Sequence, residues 1–269
     1  MKITIIGCGW LGLPLLKNLV EAKHTVRGTS RSDERLQAIE AAGGKAFRVD
    51  LPGNFFAPVF SGQELLIVTL PPGGRQLGAK ATVTYLEKLA PLGKLLAGPN
   101  APHLIYTSST GVYGATAGAV DEQTAVAPAT HSSRAVVAAE KWFSEQTDRL
   151  TILRLAGLIG PDRHPGHFFG GRDRVITEAD APINLVHQTD VIAAVHTLLA
   201  NDLPAGVFNV CAAAHPAKGD FYTAASASLG LTVKGTEPGG LDGKVIASDK
   251  LRALGWKPQF DVLTDFAGY

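Results

Sequence analysis

Ile3-Thr4-Ile5-Ile6 runs straight into Gly7-Cys8-Gly9-Trp10-Leu11-Gly12, and the reading of this stretch decides the fold. The short apolar run has the character of a buried strand, and from Leu11 to Glu21 apolar residues recur at helical spacing. The glycines between them follow Gly-x-Gly-x-x-Gly, a string that is weak alone and gains meaning from a strand before it and a helix after it. In that setting the first glycine permits a tight turn, the second lets a pyrophosphate approach the backbone, and the third lets the helix pack on the strand. The helix N-terminus adds N–H groups and the positive end of its dipole. A dinucleotide site at Gly7, Gly9, Trp10, Leu11 and Gly12 is therefore expected. The competing reading is a glycine turn that only packs helix against strand.

Outward from this turn, short apolar runs alternate with helix-like stretches. Strands are expected at His24–Gly28, Ala46–Val49, Leu65–Leu70, His103–Thr107 and Leu150–Leu155, and helices at Asp33–Ala42, Val83–Leu96 and Arg134–Gln146. Such alternation implies right-handed βαβ units and an α/β class, a Rossmann-like parallel sheet with helices on both faces. Beyond Gly160-Pro161 the pattern loosens. Residues 160–183 are rich in Gly, Pro, His and Arg and are expected to be loop. A helix at Thr189–Ala200, a strand at Val207–Val210, a helix at Phe221–Leu229 and a strand–helix segment at Val245–Leu254 follow. The expected organisation is a dinucleotide-binding domain over 1–160 and a small C-terminal substrate lobe over 161–269, with segments returning to the core.

A hydrophobic fraction of 45% and a charged fraction of 18% in 269 residues fit a folded globular chain and argue against disorder. The net charge of +1 supplies no broad field for nucleic acid or an anionic membrane. Cys8 and Cys211 are the two cysteines, and neither stands in a metal-ligand spacing, so no metal site is expected and a cytoplasmic setting is. No secretory signal and no membrane span are expected, because the apolar run after Met1 is short and ends in glycines. The strings of a hydrolase nucleophile elbow and of a nucleoside-triphosphate loop are absent.

An NAD-type site carries an Asp or Glu about 20 residues beyond the glycines to take the ribose 2′-hydroxyl. Here the second strand leads into Gly28-Thr29-Ser30-Arg31-Ser32, which offers hydroxyls and a guanidinium. Ser30, Arg31 and Ser32 are expected to hold a 2′-phosphate, which favours NADP over NAD. The alternatives are a solvated Arg31, and NAD bound with the help of nearby Asp33. Asp50 and Leu51, ending the third strand, would lie at an adenine edge. Thr69, Leu70 and Pro71 would lie over the cofactor at the end of the fourth, and Thr107, ending the fifth, completes the expected cofactor contacts.

Further along, Thr107-Ser108-Ser109-Thr110-Gly111-Val112-Tyr113-Gly114 resembles the serine-bearing strand of the extended short-chain dehydrogenases/reductases, the NAD(P)-dependent sugar epimerases and dehydratases. Leu153-Arg154-Leu155-Ala156-Gly157-Leu158-Ile159-Gly160-Pro161 resembles that family's sixth strand and its turn. Asn184-Leu185-Val186-His187-Gln188-Thr189-Asp190-Val191 and Gly206-Val207-Phe208-Asn209-Val210 resemble the segments that follow. Leu254-Gly255-Trp256 resembles its C-terminal stretch. The resemblance spans nearly the whole chain. It implies NAD(H) or NADP(H) binding, transient oxidation of a sugar hydroxyl, and a homodimer.

Two departures accompany the resemblance. The family's common glycine pattern is Gly-x-x-Gly-x-x-Gly, and this chain has the tighter form. The family also uses Tyr-x-x-x-Lys followed by a Glu four residues later. Glu140 fits that Glu, and counting back puts Ser132 at the tyrosine and Val136 at the lysine. Neither can form a phenolate beside a cation. Ser109 matches the family serine that hydrogen-bonds the reacting oxygen. Its partner in proton transfer would be Tyr113, His131 or Arg134; Tyr113 reads more readily as a packed turn aromatic and His131 as a loop histidine. Of these, a histidine suits proton exchange near neutral pH best, so Ser109, His131 and Tyr113 are the catalytic candidates.

On the substrate side, Arg163, His164 and Arg172 lie in a cationic loop that would suit an anionic or sugar-like small molecule, or would simply be solvated. His187 and Asp190 are expected to be structural. Two functions remain open at this level: an NADP(H)-dependent oxidoreductase or epimerase with a non-standard proton donor, and a protein that senses NADP(H) without chemistry.

Overall fold

The computed structural model describes residues 1–53, 55, 57–263 and 266. In chain order the elements are β1 (Lys2–Ile6), α1 (Gly12–Glu21), β2 (Thr25–Ser30), α2 (Asp33–Ala41), β3 (Lys45–Arg48), β4 (Leu65–Val68), α3 (Gly74–Leu77), α4 (Ala81–Leu89), α5 (Gly93–Leu96) and β5 (His103–Ser109). There follow β6 (Gly118–Val120), α6 (His131–Gln146), β7 (Leu150–Leu155), β8 (Gly157–Ile159), β9 (Leu185–His187), α7 (Gln188–Ala200), β10 (Gly206–Val210), α8 (Lys218–Ala227), β11 (Lys244–Ile246) and α9 (Asp249–Ala253).

Seven strands form the central parallel sheet in the order β10-β7-β5-β4-β1-β2-β3, the α/β architecture that the alternation implies. Parallel register is set by Ile3 opposite Val26 and Leu65, and by Leu65 opposite His103. Strands covered on both faces need unbroken apolar runs, and Leu65, Leu66, Ile67 and Val68 are all buried. The order turns back at β1, with β2 on one side and β4 on the other. That reversal opens a crevice at the carboxyl ends of these strands.

The chain forms two compact units, one of residues 1–112, 128–153 and 203–207 and the other of 113–127, 154–202 and 208–269. In the first, Leu15, Leu16 and Leu19 of α1 are buried with Ile3, Ile5 and Val26 of the strands. Each such side chain contributes about 1.5–3 kcal/mol when fully removed from water.

Three expectations need correction. The helix foreseen from Val83 to Leu96 is broken into α4, a 3₁₀ turn at Ala90–Leu92, and α5. Pro91 lacks the N–H and crowds the preceding turn. The helix foreseen from Arg134 starts at His131. Thr130 Oγ1 accepts from the Ser133 N–H at 3.0 Å and Ser133 Oγ accepts from the Thr130 N–H at 2.9 Å. This is a reciprocal cap with serine where glutamate is usual. The fourth strand stops at Val68, two residues short of Leu70.

His103 lies buried at the start of β5. Its Nε2 donates to Thr151 Oγ1 at 2.7 Å, because that hydroxyl gives its own proton to the Pro204 carbonyl at 2.8 Å. Burial, helped by the charge of Arg149, pushes this imidazole down to about 4. An unfolded chain protonates it near pH 6.5. Its contribution is complete above that pH and is lost as pH falls from 6.5 toward 4, where only the unfolded state binds the proton. Urea unfolding is expected to show a stability loss on the order of 2 kcal/mol between pH 7 and pH 4.5 that His103→Gln lacks.

In the second unit β6 pairs with β11 and β8 with β9, each over three residues. Phe169, Ile183, Leu185 and Phe221 are buried in one apolar cluster with Ile159. Asp190, in the first turn of α7, is buried. Its Oδ1 accepts from the Gln259 N–H at 2.6 Å and its Oδ2 from the Phe260 N–H at 3.0 Å. Its carbonyl accepts from the Trp256 indole at 3.0 Å. His187 caps α7 through Nδ1, which accepts from the Thr189 N–H at 3.2 Å. Asp190 thus holds residues 259 and 260 to α7, and His187 holds the start of that helix.

Candidate functional site

The glycine turn is held from both sides by threonines. Gly7 N–H donates to Thr29 Oγ1 of β2 at 3.0 Å, and the Gly7 carbonyl accepts from Thr69 Oγ1, just past β4, at 2.6 Å. The Cys8 N–H donates to the Thr29 carbonyl at 2.8 Å. Gly7 has φ of 103°, a left-handed conformation that side chains resist. A Cβ on Gly12 would overlap the Gly7 carbonyl oxygen. A Cβ on Gly9, by contrast, would meet nothing within 4 Å. The first and third glycines thus serve the turn and the helix packing, and the second leaves open space above the backbone. No side chain caps the N-terminus of α1, the arrangement that receives a phosphate.

A cleft opens from this turn. It is lined by Gly7, Cys8 and Gly9, by Thr29, Ser30 and Arg31, by Leu51, and by Thr69, Leu70 and Pro71. A shallower extension is bounded by Ser30, Arg31, Ser32 and Asp50. Most of the residues read from the sequence as cofactor contacts are therefore brought together. Trp10 is half-buried and Leu11 is buried, and the cleft lining does not include them. Gly12 is buried in the packing beneath. Thr107 Oγ1 donates to the Val68 carbonyl at 3.0 Å, bonding the fifth strand to the fourth.

Sequence reading missed Val49, Arg35 and Lys88, which also line the cleft. Arg35 could have been noticed, since it follows Arg31 by four residues into a helix. Lys88 comes from α4 and has no local signal. The residues present fit a dinucleotide: an open approach at Gly9, a helix start beyond it, and hydroxyls and cations at the far end.

The turn between β2 and α2 is clamped by Arg48. Its guanidinium donates to the Arg31 carbonyl and to the Asp33 carboxylate. Asp33 is thus engaged, with its side chain 83% exposed. Arg31 Nη1 lies 3.8 Å from Asp50 Oδ1. Burial pushes the Cys8 thiol up to about 12, so this cysteine is inert packing.

Ser109 ends β5. Its Oγ accepts from the Gly111 N–H at 3.1 Å, which leaves its own O–H to donate elsewhere. A Cβ on Gly111 would lie 3.2 Å from Ser109 Oγ and 3.9 Å from Ser133 Cβ, so this serine stands beside the first turn of α6. His131 begins that turn and is exposed. Ser132 is pressed against α3: a Cβ on Gly74 would overlap Ser132 Oγ and lie 2.5 Å from its backbone nitrogen. Val136 is buried. The Ser108 hydroxyl donates to the buried Glu140 carboxylate, which ties β5 to the middle of α6.

In the second unit Tyr113 is buried, and its hydroxyl is engaged twice. It donates to Asn209 Oδ1 at 2.8 Å and accepts from Arg154 Nη1 at 2.9 Å. Burial raises its pKa, against the pull of Arg154 and Asn209. Arg163 and Arg172 are exposed, and Arg172 Nε donates to the His167 carbonyl at 2.6 Å. His164 is buried, and its Nδ1 accepts from the Gly166 N–H at 3.0 Å. Burial holds its pKa below the ordinary histidine value. Among the described residues no group of three His, Cys, Asp or Glu side chains could hold a metal ion, and no helix is long and apolar enough to cross a membrane.

Comparison with known proteins places this geometry. A family model described as NAD(P)H-binding matches residues 7–202. Protein YeeZ of Escherichia coli strain K12 is 34% identical over 236 residues, covering 86% of this chain and 84% of that protein. A conserved protein of unknown function from Silicibacter pomeroyi superposes with a TM-score of 0.78 at 24% identity, covering 98% of this chain and 95% of the other. The UDP-glucuronic acid 4-epimerase of Bacillus cereus, solved in complex with NAD, superposes with a TM-score of 0.80 at 16% identity, covering 99% and 94%. At such identities these two structures speak for the Rossmann-like α/β fold alone, while the matches in sequence speak for kinship. This chain belongs to the NAD(P)H-binding family.

Proposed function

We propose that this protein is an NADP(H)-dependent oxidoreductase of the epimerase or dehydratase kind, working on a sugar-like or anionic small molecule with a proton donor other than a tyrosine on α6. The observation that carries the cofactor preference is the end of β2. Ser30, Arg31 and Ser32 border the cleft there, while the nearby carboxylate of Asp33 is taken by Arg48. A ribose 2′-hydroxyl calls for a carboxylate, and a 2′-phosphate calls for guanidinium and hydroxyl donors. The Bacillus cereus epimerase holds NAD; this chain's own residues argue for the phosphorylated form.

A bound nicotinamide supplies hydride acceptance and return. The chain's residues orient the substrate and exchange its proton. Ser109 donates its O–H to the reacting oxygen, since its acceptor side is used by Gly111. His131, at the exposed start of α6, exchanges the proton. Tyr113 stays out of this step because both of its hydrogen bonds are internal. The buried thiols of Cys8 and Cys211 suit a reducing cytoplasm. A second reading, NADP(H) sensing without turnover, is favoured by Ser132 and Val136, neither of which can play the tyrosine or lysine part.

Calorimetric titration with NADPH, NADP, NADH and NAD tests the cofactor assignment. Arg31→Ala is expected to weaken the NADP pair about tenfold and leave the NAD pair within about twofold. Equal affinity of the unaltered protein for both pairs would refute it. NADPH absorbance with a panel of nucleotide sugars tests the chemistry: turnover lost in Ser109→Ala supports the enzyme, and intact binding without any turnover supports the sensor.

A further inference from the structure

Three cations from separate segments line the cleft. Arg31 follows β2, Arg35 lies on α2, and Lys88 lies in the last turn of α4. The carboxylate that joins them in the lining of the cleft and its extension is Asp50, which stands 3.8 Å from Arg31. Both partners of that pair are largely exposed, so it is weak and yields readily to a ligand. Three cations against one carboxylate leave two positive charges. A phosphate monoester carries about −1.5 to −2 at neutral pH, and a ribose hydroxyl carries none.

Lys88 is the informative member. It is half-buried, and its ammonium is held below the ordinary lysine value, first by burial and then by Arg31 beside it, against the pull of Asp50. An amine turned into a wall next to a guanidinium is unfavourable until an anion lies between them.

Resting on the NADP reading above, we infer that Lys88 and Arg35 complete the 2′-phosphate site with Arg31, and that Lys88 is a specificity-determining residue of the cofactor cleft. It reaches the phosphate from α4, whereas Arg31 comes from the β2–α2 turn and Arg35 from α2. The phosphate displaces Asp50 from Arg31 and takes charge-assisted hydrogen bonds from all three.

The test is calorimetric titration of the full chain and its Lys88→Met and Lys88→Arg variants with NADPH and NADH, with thermal unfolding as the check on folding. Lys88→Met is expected to bind NADPH about tenfold more weakly and NADH within about twofold of the unaltered protein. Lys88→Arg is expected to keep the preference. If Lys88→Met weakens both cofactors equally, or neither, the assignment of Lys88 falls while the NADP reading stands. If the unaltered protein binds NADPH and NADH alike, the NADP reading falls and this one with it.

Discussion

Gly12→Ala is expected to cost about 3 kcal/mol or more and to abolish measurable dinucleotide binding. The added methyl would overlap the Gly7 carbonyl oxygen and stand 3.0 Å from Thr69 Oγ1. Neither neighbour can step aside. The Gly7 carbonyl is fixed by Thr69, and the Gly7 N–H by Thr29, so relief requires α1 to lift from β1. Overpacking of a well-filled core costs about 1–3 kcal/mol even where side chains can adjust, and here the obstacle is backbone. A fall in the melting midpoint of roughly 10 °C follows for a chain of this size. Gly9→Ala is the comparison. Its methyl meets nothing within 4 Å, so the midpoint should move little. The methyl nevertheless occupies the approach to the pyrophosphate, and affinity for NADPH and NADH should drop together by at least about tenfold. Unaltered binding in Gly9→Ala would place the pyrophosphate elsewhere.

Asp190→Ala is expected to destabilise the second unit by about 3 kcal/mol. Each carboxylate oxygen accepts one backbone N–H, from Gln259 and from Phe260, in a site with 1% exposure. Alanine strands both donors, at about 1–3 kcal/mol each. The carboxylate is itself costly to bury, and burial raises its pKa even against those two donors. Asp190→Asn removes that charge and keeps one acceptor, but turns an NH₂ toward the other N–H. It should therefore fall between the two, at about 1–2 kcal/mol. Chemical denaturation of the three proteins orders them; Asn as harmful as Ala would mean that the charge, more than the acceptor count, holds residues 259 and 260.

Much of this is legible in the sequence. The turn at Gly7–Gly12 announced itself because strand, glycines and helix are contiguous and each has a local signature. The same holds for β7, whose bounds at Leu150 and Leu155 coincide with the apolar run. Short pairings were illegible. β6 and β11 span three residues each and meet across more than a hundred residues of chain, so neither has a periodicity to detect. The start of α6 was misplaced because Ser133 plays the part that the usual capping signature gives to Glu or Gln. In the cleft, hydroxyls and Arg31 next to the second strand could be read in order. Lys88 could not, because its relevance arises only when the fold brings α4 to the cleft. Tyr113 was ambiguous for the opposite reason: its chemistry is attractive in isolation, and only Asn209 and Arg154 reveal that its hydroxyl is spoken for.

The contact between Gly74 and Ser132 has a consequence for inheritance. A side chain at 74 would strike the backbone nitrogen and Cα of Ser132, at 2.5 and 2.7 Å, as well as its hydroxyl. The segment after β4 and the first turn of α6 can therefore not drift independently: a larger residue at 74 is excluded while α6 starts where it does. Evolutionary routes that alter one segment must pass through a compensating change in the other, and a chimera that exchanges only one of them with a relative inherits a collision. The two segments behave as a single heritable part, although more than fifty residues separate them in the chain.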